Sequence, residues 1–516
     1  MSQEMPRQAA EKDPAVPARP GLKVGVDEWV AQVEGRTRRY QGGWGRVAYG
    51  WQTIPLGVRY ALAILIIFAF PFVTATDAVL DGMGIASNDF LVRIGARFLI
   101  FAMLAIGLNV VVGYCGLLDL GYVAFFGIAG YSYAYLSSDF IQFAGLNGVH
   151  LPSILSLPLI VLWTALIGLG VGYVAFRFGG DYLAIVTLGF GQVFLQLALT
   201  ATRVQLPWTE RPVDLTRGPN GINRLDDLAF FGFQLETTTH YYLLAALLLI
   251  FVYAAVHHLN QSRIGRAWRA LKDDELAAEV MGIPTWRMKL LAFAIGAGIA
   301  GLAGAVDTAW QDSVIPNPRY SVLTLINLYA MVVLGGLGSL PGVVLGALIF
   351  TTLPEILRDI QAASAIFYGG LIFGLLLGLR PWKRLAAVVV STLALGFVIR
   401  FVGPLLLPNV EWLTGGTDYW LNEIVHSWLL IPADFVTVGN IVTIGAIVVL
   451  LAAMVVAERW RWAVLSIALY MFIFAWETRL VQEPAATRIL IVGTTLVVLM
   501  VVRPQGLLGK PEVRVV

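Results

Sequence analysis

The sequence predicts an all-α fold, a polytopic bundle of transmembrane helices, and three observations predict it. Of its 516 residues 58% are hydrophobic, with a mean hydropathy of +0.76. Only 13% are charged, against about 25% in ordinary soluble domains. Apolar runs of spanning length, about 17–25 residues, recur along most of the chain. They fall at 57–75, 91–112, 117–137, 153–176, 182–202, 241–258, 289–309, 322–338, 341–357, 365–379, 386–407, 436–457, 462–478 and 487–502. Several are short and closely spaced, which predicts half-spans or re-entrant pieces among the full ones.

Residues 1–50 are polar and carry Pro and Arg without a hydrophobic run, so they predict a largely disordered tail and no secretory signal. Within the tail Val26, Trp29, Val30 and Val33 share one face of a short amphipathic helix, and Arg36, Arg38, Arg39 and Arg46 follow it. That pattern suits an anionic membrane surface. With the tail in the cytosol, alternate loops are basic: Arg177, the 263–289 loop, Arg380 with Lys383 and Arg384, Arg459 with Arg461, and Arg503 with Lys510 and Arg514. The opposite loops hold Asp77, Asp81, Asp89, Asp139, Asp312, Glu411, Asp418, Glu423 and Asp434. The positive-inside rule therefore places both termini and the 263–289 loop in the cytosol.

Composition excludes several classes. The formal net charge of +2 gives no footprint for nucleic acid. A single cysteine, Cys115, forbids an internal disulfide or a cysteine metal site, and five scattered histidines show no ligand spacing. His257 and His258 are adjacent, hence on different helix faces, and read as an interfacial pair. No G-x-x-x-x-G-K-[ST] occurs, since Gly506 to Lys510 has the wrong spacing. No nucleophile–base set suggests catalysis, so the chain reads as no enzyme and as holding no cofactor.

The block from Asn109 to Tyr135 is interrupted by Gly113, Gly116, Gly121, Gly127 and Gly130, and it contains Asp119. Glycines at this density permit either tight helix packing or a broken helix facing a cavity. An intramembrane carboxylate is a functional candidate, or a cap for a helix beginning at Leu120. In Phe178 to Gln192, Asp181 is placed to cap the next helix, and Thr187, Gly189 and Gly191 leave a narrow polar stripe beside Phe190. Arg203 to His240 is the longest outward connection, and its Gly218, Pro219, Asn220 and Gly221 form a turn.

Arg263 to Pro284 is a charged island that reads as two short helices. Ile264, Trp268 and Leu271 share a face of the first; Asp273 or Asp274 caps the second, and Gly282 with Pro284 ends it. Small residues at Ala277, Ala278 and Gly282 permit close approach by another protein. Beyond it, Gly296, Gly298, Gly301 and Gly304 make a small-residue face, and Val333 to Gly346 is a second glycine- and proline-broken stretch. Two broken stretches, 113–130 and 335–346, point to a path between repeated halves.

These stretches resemble the branched-chain amino acid permeases of ABC importers, of the LivM type. Arg266, Ala267, Arg269, Ala270, Asp274, Glu275, Ala277, Ala278, Glu279, Met281, Gly282 and Ile283 match that family's coupling loop. The resemblance implies that Arg266, Arg269, Asp274, Glu275, Ala278, Glu279 and Gly282 engage a separate cytosolic ATPase. Gly116, Leu117, Leu118, Leu120, Gly121, Tyr122 and Phe126 match a G-LL-LGY run, and 178–192 matches RGDYLAIVTLGFGE, with Gly179 for Arg and Gln192 for Glu. On that basis Gly116, Asp119, Gly121, Tyr122, Phe126, Thr187, Gly189, Phe190 and Gly191 are expected along the substrate path. Thr216 to Ile222 matches TGGPNGI except at Arg217, which implies an outer-mouth loop at Gly218, Pro219, Asn220 and Gly221.

The resemblance further implies a bacterial inner-membrane protein, a homologous LivH-type permease partner and a periplasmic substrate-binding protein, with no nucleic acid. A related urea or short-amide permease, or an ion-coupled secondary transporter using Asp119 and Asp307, stands as the alternative. Ala365 to Leu385 resembles Ala486 to Leu508, and the family's last span ends in RPQGLLG, as here at Arg503 to Gly509. The expected layout is a cytosolic tail at 1–52 and a permease core of about ten helices at 53–380 holding the coupling loop 263–284. About four extra transmembrane helices at 381–486 follow, then a last helix and cytosolic end at 487–516. Trp412, Trp420 and Trp428 in the inserted part are expected to form an interfacial aromatic belt.

Overall fold

The computed structural model describes residues 56–74, 88–140, 148–178, 180–205, 207, 212–358, 360–378, 382–406, 410–412, 422–455, 458–480, 493 and 505–509. The expected tail and its amphipathic stretch, Gly179, Trp420 and nearly all of the last span lie outside them. Chain contacts separate residues 1–70 from residues 71–516. Helix α1 (Leu56–Val73), apolar but for Arg59 and with Pro71 in its last turn, begins in the first unit.

In the second unit helix α2 (Asn88–Asn109) runs on through a π-turn at Val110–Tyr114 and then stops. The chain is not helical from Cys115 to Leu120, and helix α3 (Tyr122–Leu136) starts only after Gly121. The apolar run at 117–137 is thus not one span. At 15 residues α3 rises about 22 Å, short of the ~30 Å hydrocarbon layer. Helix α3 leads into β1 (Ser137–Ser138), which pairs antiparallel with β2 (Val149–His150). Helices α4 (Ser153–Ala175) and α5 (Gly180–Thr200) follow.

The long connection then forms a single 3-10 turn at Gly218–Asn220, β3 (Ile222–Asn223), and the β4 (Ala229–Phe230) and β5 (Phe233–Gln234) hairpin. Helix α6 (Thr238–Gln261) re-enters, capped by Thr237, whose side chain accepts the His240 N–H. Two short helices, α7 (Arg263–Asp273) and α8 (Glu275–Val280), precede the 26-residue helix α9 (Thr285–Trp310). Beyond it, β6 (Ser313–Val314) pairs antiparallel with β3, so the far end of α9 is tied to the long connection.

Helix α10 (Val322–Gly335) breaks at Gly336–Gly338, and α11 (Leu340–Ile356) restarts with the Ser339 hydroxyl accepting the Gly342 N–H at 3.3 Å. Helices α10 and α11 are 14 and 17 residues long, so the second glycine-broken stretch separates two short helices, whereas the first separates the spanning helix α2 from the short α3. The remaining described helices are α12 (Ile360–Gly378), α13 (Trp382–Leu406), α14 (Asn422–Trp428), α15 (Phe435–Val455) and α16 (Glu458–Leu480). Among the described residues six helices are long and apolar enough to cross a membrane, and the chain is a multi-pass helical membrane protein.

Helix α9 is the axis of the core and packs on α4, α3 and α2. Its small residues allow this. A β-carbon at Gly301 would strike the Thr164 hydroxyl, and one at Gly304 would strike the Phe126 carbonyl of α3. With backbones this close the core gains dispersion contacts that larger residues would forfeit. The C-terminal helices build their own cluster from Val425, Trp428, Leu429, Ile431, Tyr470, Ile473 and Phe474, against which Tyr368 and Leu371 of α12 pack. Trp428 is therefore a buried packing residue and not part of an interfacial belt. The length of α14 lets its ring reach Gly396 on α13, where no side chain intervenes.

Candidate functional site

Three groups of residues singled out in the sequence occupy three places along α9. At its N-terminal end lie α7 and α8. Ser262 caps α7 by accepting the Ile264 N–H at 3.1 Å. Trp268, fully buried, donates its ring N–H to the Met288 carbonyl at 2.8 Å, and Leu271 is buried beside it. Asp274 is the cap of α8, accepting the Ala277 N–H at 3.0 Å. The helix closes as a Schellman motif: Gly282 N–H donates to Glu279 O at 2.9 Å and Ile283 N–H to Ala278 O at 3.0 Å. Gly282 makes this possible with φ +82°. Glu275 accepts from Lys289 Nζ of α9 at 2.5 Å. Arg266, Arg269 and Glu279 are exposed, whereas Ala278 is buried against its own chain. Outward instead point Leu276, Val280 and Met281, which are 75%, 87% and 81% exposed.

Directly beside α7 lies the first break. A β-carbon at Gly116 would stand 3.0 Å from Lys272 Cγ and 3.4 Å from Lys272 Cα, and Gly116 holds φ +76°. Asp119, buried, folds back in a tight turn, its Oδ1 accepting the Gly121 N–H at 2.9 Å. It therefore organises the start of α3 at Tyr122, two residues later than the expected helix beginning at Leu120. Its Oδ2 has no hydrogen-bond partner among the described residues. The Asp119 carbonyl accepts Tyr329 OH of α10 at 2.6 Å, and the Leu120 N–H donates to Thr187 Oγ1 of α5 at 3.0 Å. Tyr122, fully buried, donates to the Gly296 carbonyl of α9 at 3.1 Å.

The two breaks meet. The Gly338 N–H donates to Asn109 Oδ1 at 2.9 Å, and a β-carbon at Gly338 would stand 3.2 Å from the Gly113 carbonyl. The C-terminal residues complete the junction: Leu507 and Leu508 donate their N–H groups to Leu334 O and Gly335 O, at 2.9 and 3.1 Å. The pairings of Asn109 with Gly338, Lys272 with Gly116, Tyr329 with Asp119 and Leu507 with Leu334 did not stand out in the sequence, because each acts across more than a hundred residues of chain.

Of the other path candidates, Thr187 and Gly191 back directly onto Gly121, and Phe190 packs on Phe125 with ring centroids 5.5 Å apart. Phe126 is buried edge-on to Tyr320 at 5.5 Å. Gly189 differs, facing outward with nothing within 4 Å of a β-carbon. Asp307, near the C-terminal end of α9, is engaged by Arg319 at 3.5 Å and by Gln311 at 2.9 Å.

At the far end of α9 the turn of Gly218, Pro219, Asn220 and Gly221 lies on the C-terminal end of α5. A β-carbon at Gly218 would stand 2.9 Å from Leu199 O, and one at Gly221 would strike the Val314 carbonyl. Asp214 accepts the N–H groups of Thr216 and Arg217 at 3.1 and 2.8 Å. Arg217, in the left-handed region at φ 54°, lays its guanidinium 5.1 Å from the Phe140 ring centroid. Next to it His150 lies between Asp226 Oδ2 at 2.5 Å and Asp139 Oδ1 at 3.1 Å. The Asp226 carboxylate, chiefly, holds the imidazole above its ordinary pKa, with Asp139 adding to the effect.

The sequence profile of the branched-chain amino acid transport system permease component matches residues 90–378. The high-affinity branched-chain amino acid transport system permease protein LivM of Salmonella typhimurium LT2 is 33% identical over 353 residues, 63% of this chain and 75% of its own length. LivM of Escherichia coli K12 is 34% identical over 320 residues, 57% and 70% of the two chains. The LivH permease of Salmonella typhimurium LT2 is 32% identical over 117 residues, 23% of this chain and 37% of its own. No solved structure matches. With a profile match over 90–378 and relatives at 33% and 34% identity, the chain belongs to the branched-chain amino acid transport permease family.

Proposed function

We propose that the chain is the membrane-spanning subunit of an ATP-driven ABC importer for branched-chain or related neutral amino acids, working by alternating access in a bacterial inner membrane. A separate cytosolic ATPase supplies the energy by gripping α8, a homologous LivH-type permease completes the path, and a periplasmic binding protein delivers substrate near Gly218–Gly221. Both termini lie in the cytosol. Residues 1–52 are the tail, 53–380 the transporting core, 381–486 additional membrane helices, and 487–516 the last helix and C-terminal end.

The observation that carries this reading is the exposed Leu276, Val280 and Met281 on a charged, doubly capped helix. Apolar side chains this exposed among Asp273, Glu275 and Glu279 suit neither lipid nor bulk water, but they suit a groove on a water-soluble protein. Whatever moves α8 moves Lys272 and hence the chain at Gly116. A two-state bundle hinged on its two breaks converts that movement into inward or outward opening.

The test is ATP-dependent leucine uptake by proteoliposomes holding the ATPase, the second permease and the binding protein. Val280→Asp with Met281→Asp is expected to lower uptake at least about tenfold while insertion stays normal, an interface loss of about 1.4 kcal/mol or more. Uptake that survives the change and instead collapses with the proton gradient would establish the ion-coupled alternative.

A further inference from the structure

The stretch from Leu228 to Leu235, LAFFGFQL, carries no charge, whereas Asp226 and Asp227 precede it and Glu236 follows it. It forms the β4–β5 hairpin, with Phe231 and Gly232 as the turn residues at φ 52° and 86°. Positive φ at both positions marks the two-residue turn that Asn-Gly or Asp-Gly ordinarily fills. A phenylalanine there holds a backbone conformation that bulky residues rarely adopt. Its ring gains no packing within the chain, because Phe231 is 98% exposed, and Phe233 behind it is 58% exposed. Neither the turn nor the core calls for an aromatic tip.

The hairpin is fastened to the ends of two spanning helices. The Ala229 N–H donates to the hydroxyl of Ser153, the first residue of α4, at 2.8 Å. The Leu228 N–H donates to Tyr241 OH at 3.3 Å, and the Phe233 ring meets His240 edge-on at 5.0 Å, both in the first turn of α6. Helices α4 and α6, at 23 and 24 residues, rise about 34 and 36 Å, a little more than the ~30 Å hydrocarbon layer. Their first turns therefore stand at the edge of that layer, and the hairpin lies level with them. Below it the exposed surface of α4 continues apolar through Ile154, Leu155 and Leu159. The carboxylates stay with a separate, polar hollow of about 480 Å³, which Asp226, Asp227 and Glu236 line with Arg224, Trp310 and Asp312.

We infer that the β4–β5 hairpin is a membrane anchor, whose tip at Phe231, with Phe233 behind it, enters the interfacial layer of the leaflet opposite α7 and α8. Its partner is the lipid surface. The uncharged tip is continuous with an apolar helix face that lies within the thickness of the membrane, where acyl chains are the surroundings to be met. Asp226, Asp227 and Glu236 on either side limit the depth, because carboxylates do not follow into hydrocarbon. Only the ring end of the hairpin sinks.

The parent chain makes the test direct, because its one cysteine, Cys115, is buried. A nitroxide is attached at Phe231→Cys in the full chain, reconstituted in phosphatidylcholine vesicles. Its collisions with oxygen, which concentrates in lipid, are compared with its collisions with a water-soluble nickel chelate. Asn223→Cys, exposed on the same connection, is the water-facing reference, and Leu159→Cys on α4 the apolar one. The oxygen-to-nickel ratio at Phe231→Cys is expected to lie well above that of Asn223→Cys and toward that of Leu159→Cys. A ratio equal to that of Asn223→Cys overturns the inference. So does shielding from both reagents, which marks a protein contact, with a second copy of the chain or another partner.

The part played by the ring is read from a nitroxide at Gln234→Cys, with Phe231 kept or changed to Asn. Asn-Gly suits the turn at least as well, so Phe231→Asn keeps the hairpin while removing the ring. Burial of one such ring favours the inserted tip on the order of tenfold or more, so Phe231→Asn is expected to raise nickel collisions at the neighbouring label. Nickel collisions that Phe231→Asn leaves unchanged show that the ring anchors nothing, and the inference falls.

Discussion

Lys272, the last basic residue of α7, packs its Cα and Cγ against the bare backbone of Gly116, where α2 has ended and α3 has not yet begun. No side chain fits between them. Gly116→Ala would add a β-carbon at that contact and force a non-glycine residue to φ +76°, at about 1–3 kcal/mol. The expected result is normal insertion with ATPase activity that no longer follows transport. ATP turnover and leucine uptake, measured on the same proteoliposomes, check it.

Asn109 joins the two breaks through Gly338. Asn109→Ala leaves the Gly338 N–H without its acceptor, at about 1–3 kcal/mol. Gly113→Ala acts on the same contact from the other side, since its β-carbon would collide with the Asn109 carboxamide. The double variant should therefore be less destabilised than the sum of the two single variants. Melting temperatures of the detergent-purified complex measure this coupling, and strict additivity would count against a shared junction.

The shape of α8 depends on its two ends. Asp274→Ala is expected to cost about 0.5–2 kcal/mol of local helix stability, with Asp274→Ser recovering most of it. Gly282→Ala should cost about 1–2 kcal/mol, because the motif needs a left-handed residue there. Faster amide exchange at Ala277, Ala278 and Ile283 is the expected readout for both.

On the opposite side His150 bridges Asp139 and Asp226. Its pKa is raised in the folded chain, so its contribution is complete below the unfolded value of about 6.5 and is lost as pH rises through the folded value. Exchange of the Val149 and Leu151 amides should accelerate as the pH rises across that window. His150→Gln should make the exchange pattern insensitive to pH once the intrinsic rate is allowed for.

Legibility in the sequence followed the range of the interaction. The capping of α8 by one of Asp273 and Asp274 and its closure at Gly282 were readable because both act within a few residues, and the multi-pass helical class was readable from the apolar runs. The alternation of small residues in α9 likewise announced close packing. The non-helical stretch from Cys115 to Leu120 was hidden, because Leu117, Leu118 and Leu120 keep the hydropathy of a span while Gly116 and Asp119 undo its hydrogen bonding. Ala278, part of the matched motif, is buried against its own chain, while Leu276, Val280 and Met281 are the exposed apolar side chains of this segment. The junction of Asn109, Gly338 and Leu507 joins three distant parts of the chain through backbone groups, which carry no sequence signal.

The central claim, that α8 is the handle of a separate ATPase, is tested most directly by a photo-crosslinking residue at Val280 in the transport-competent complex. The account predicts an adduct between this chain and the ATPase subunit, with a yield that changes between nucleotide-free and ATP-bound states. A complex that imports leucine but gives adducts at Val280 only with lipid or within the chain would contradict it.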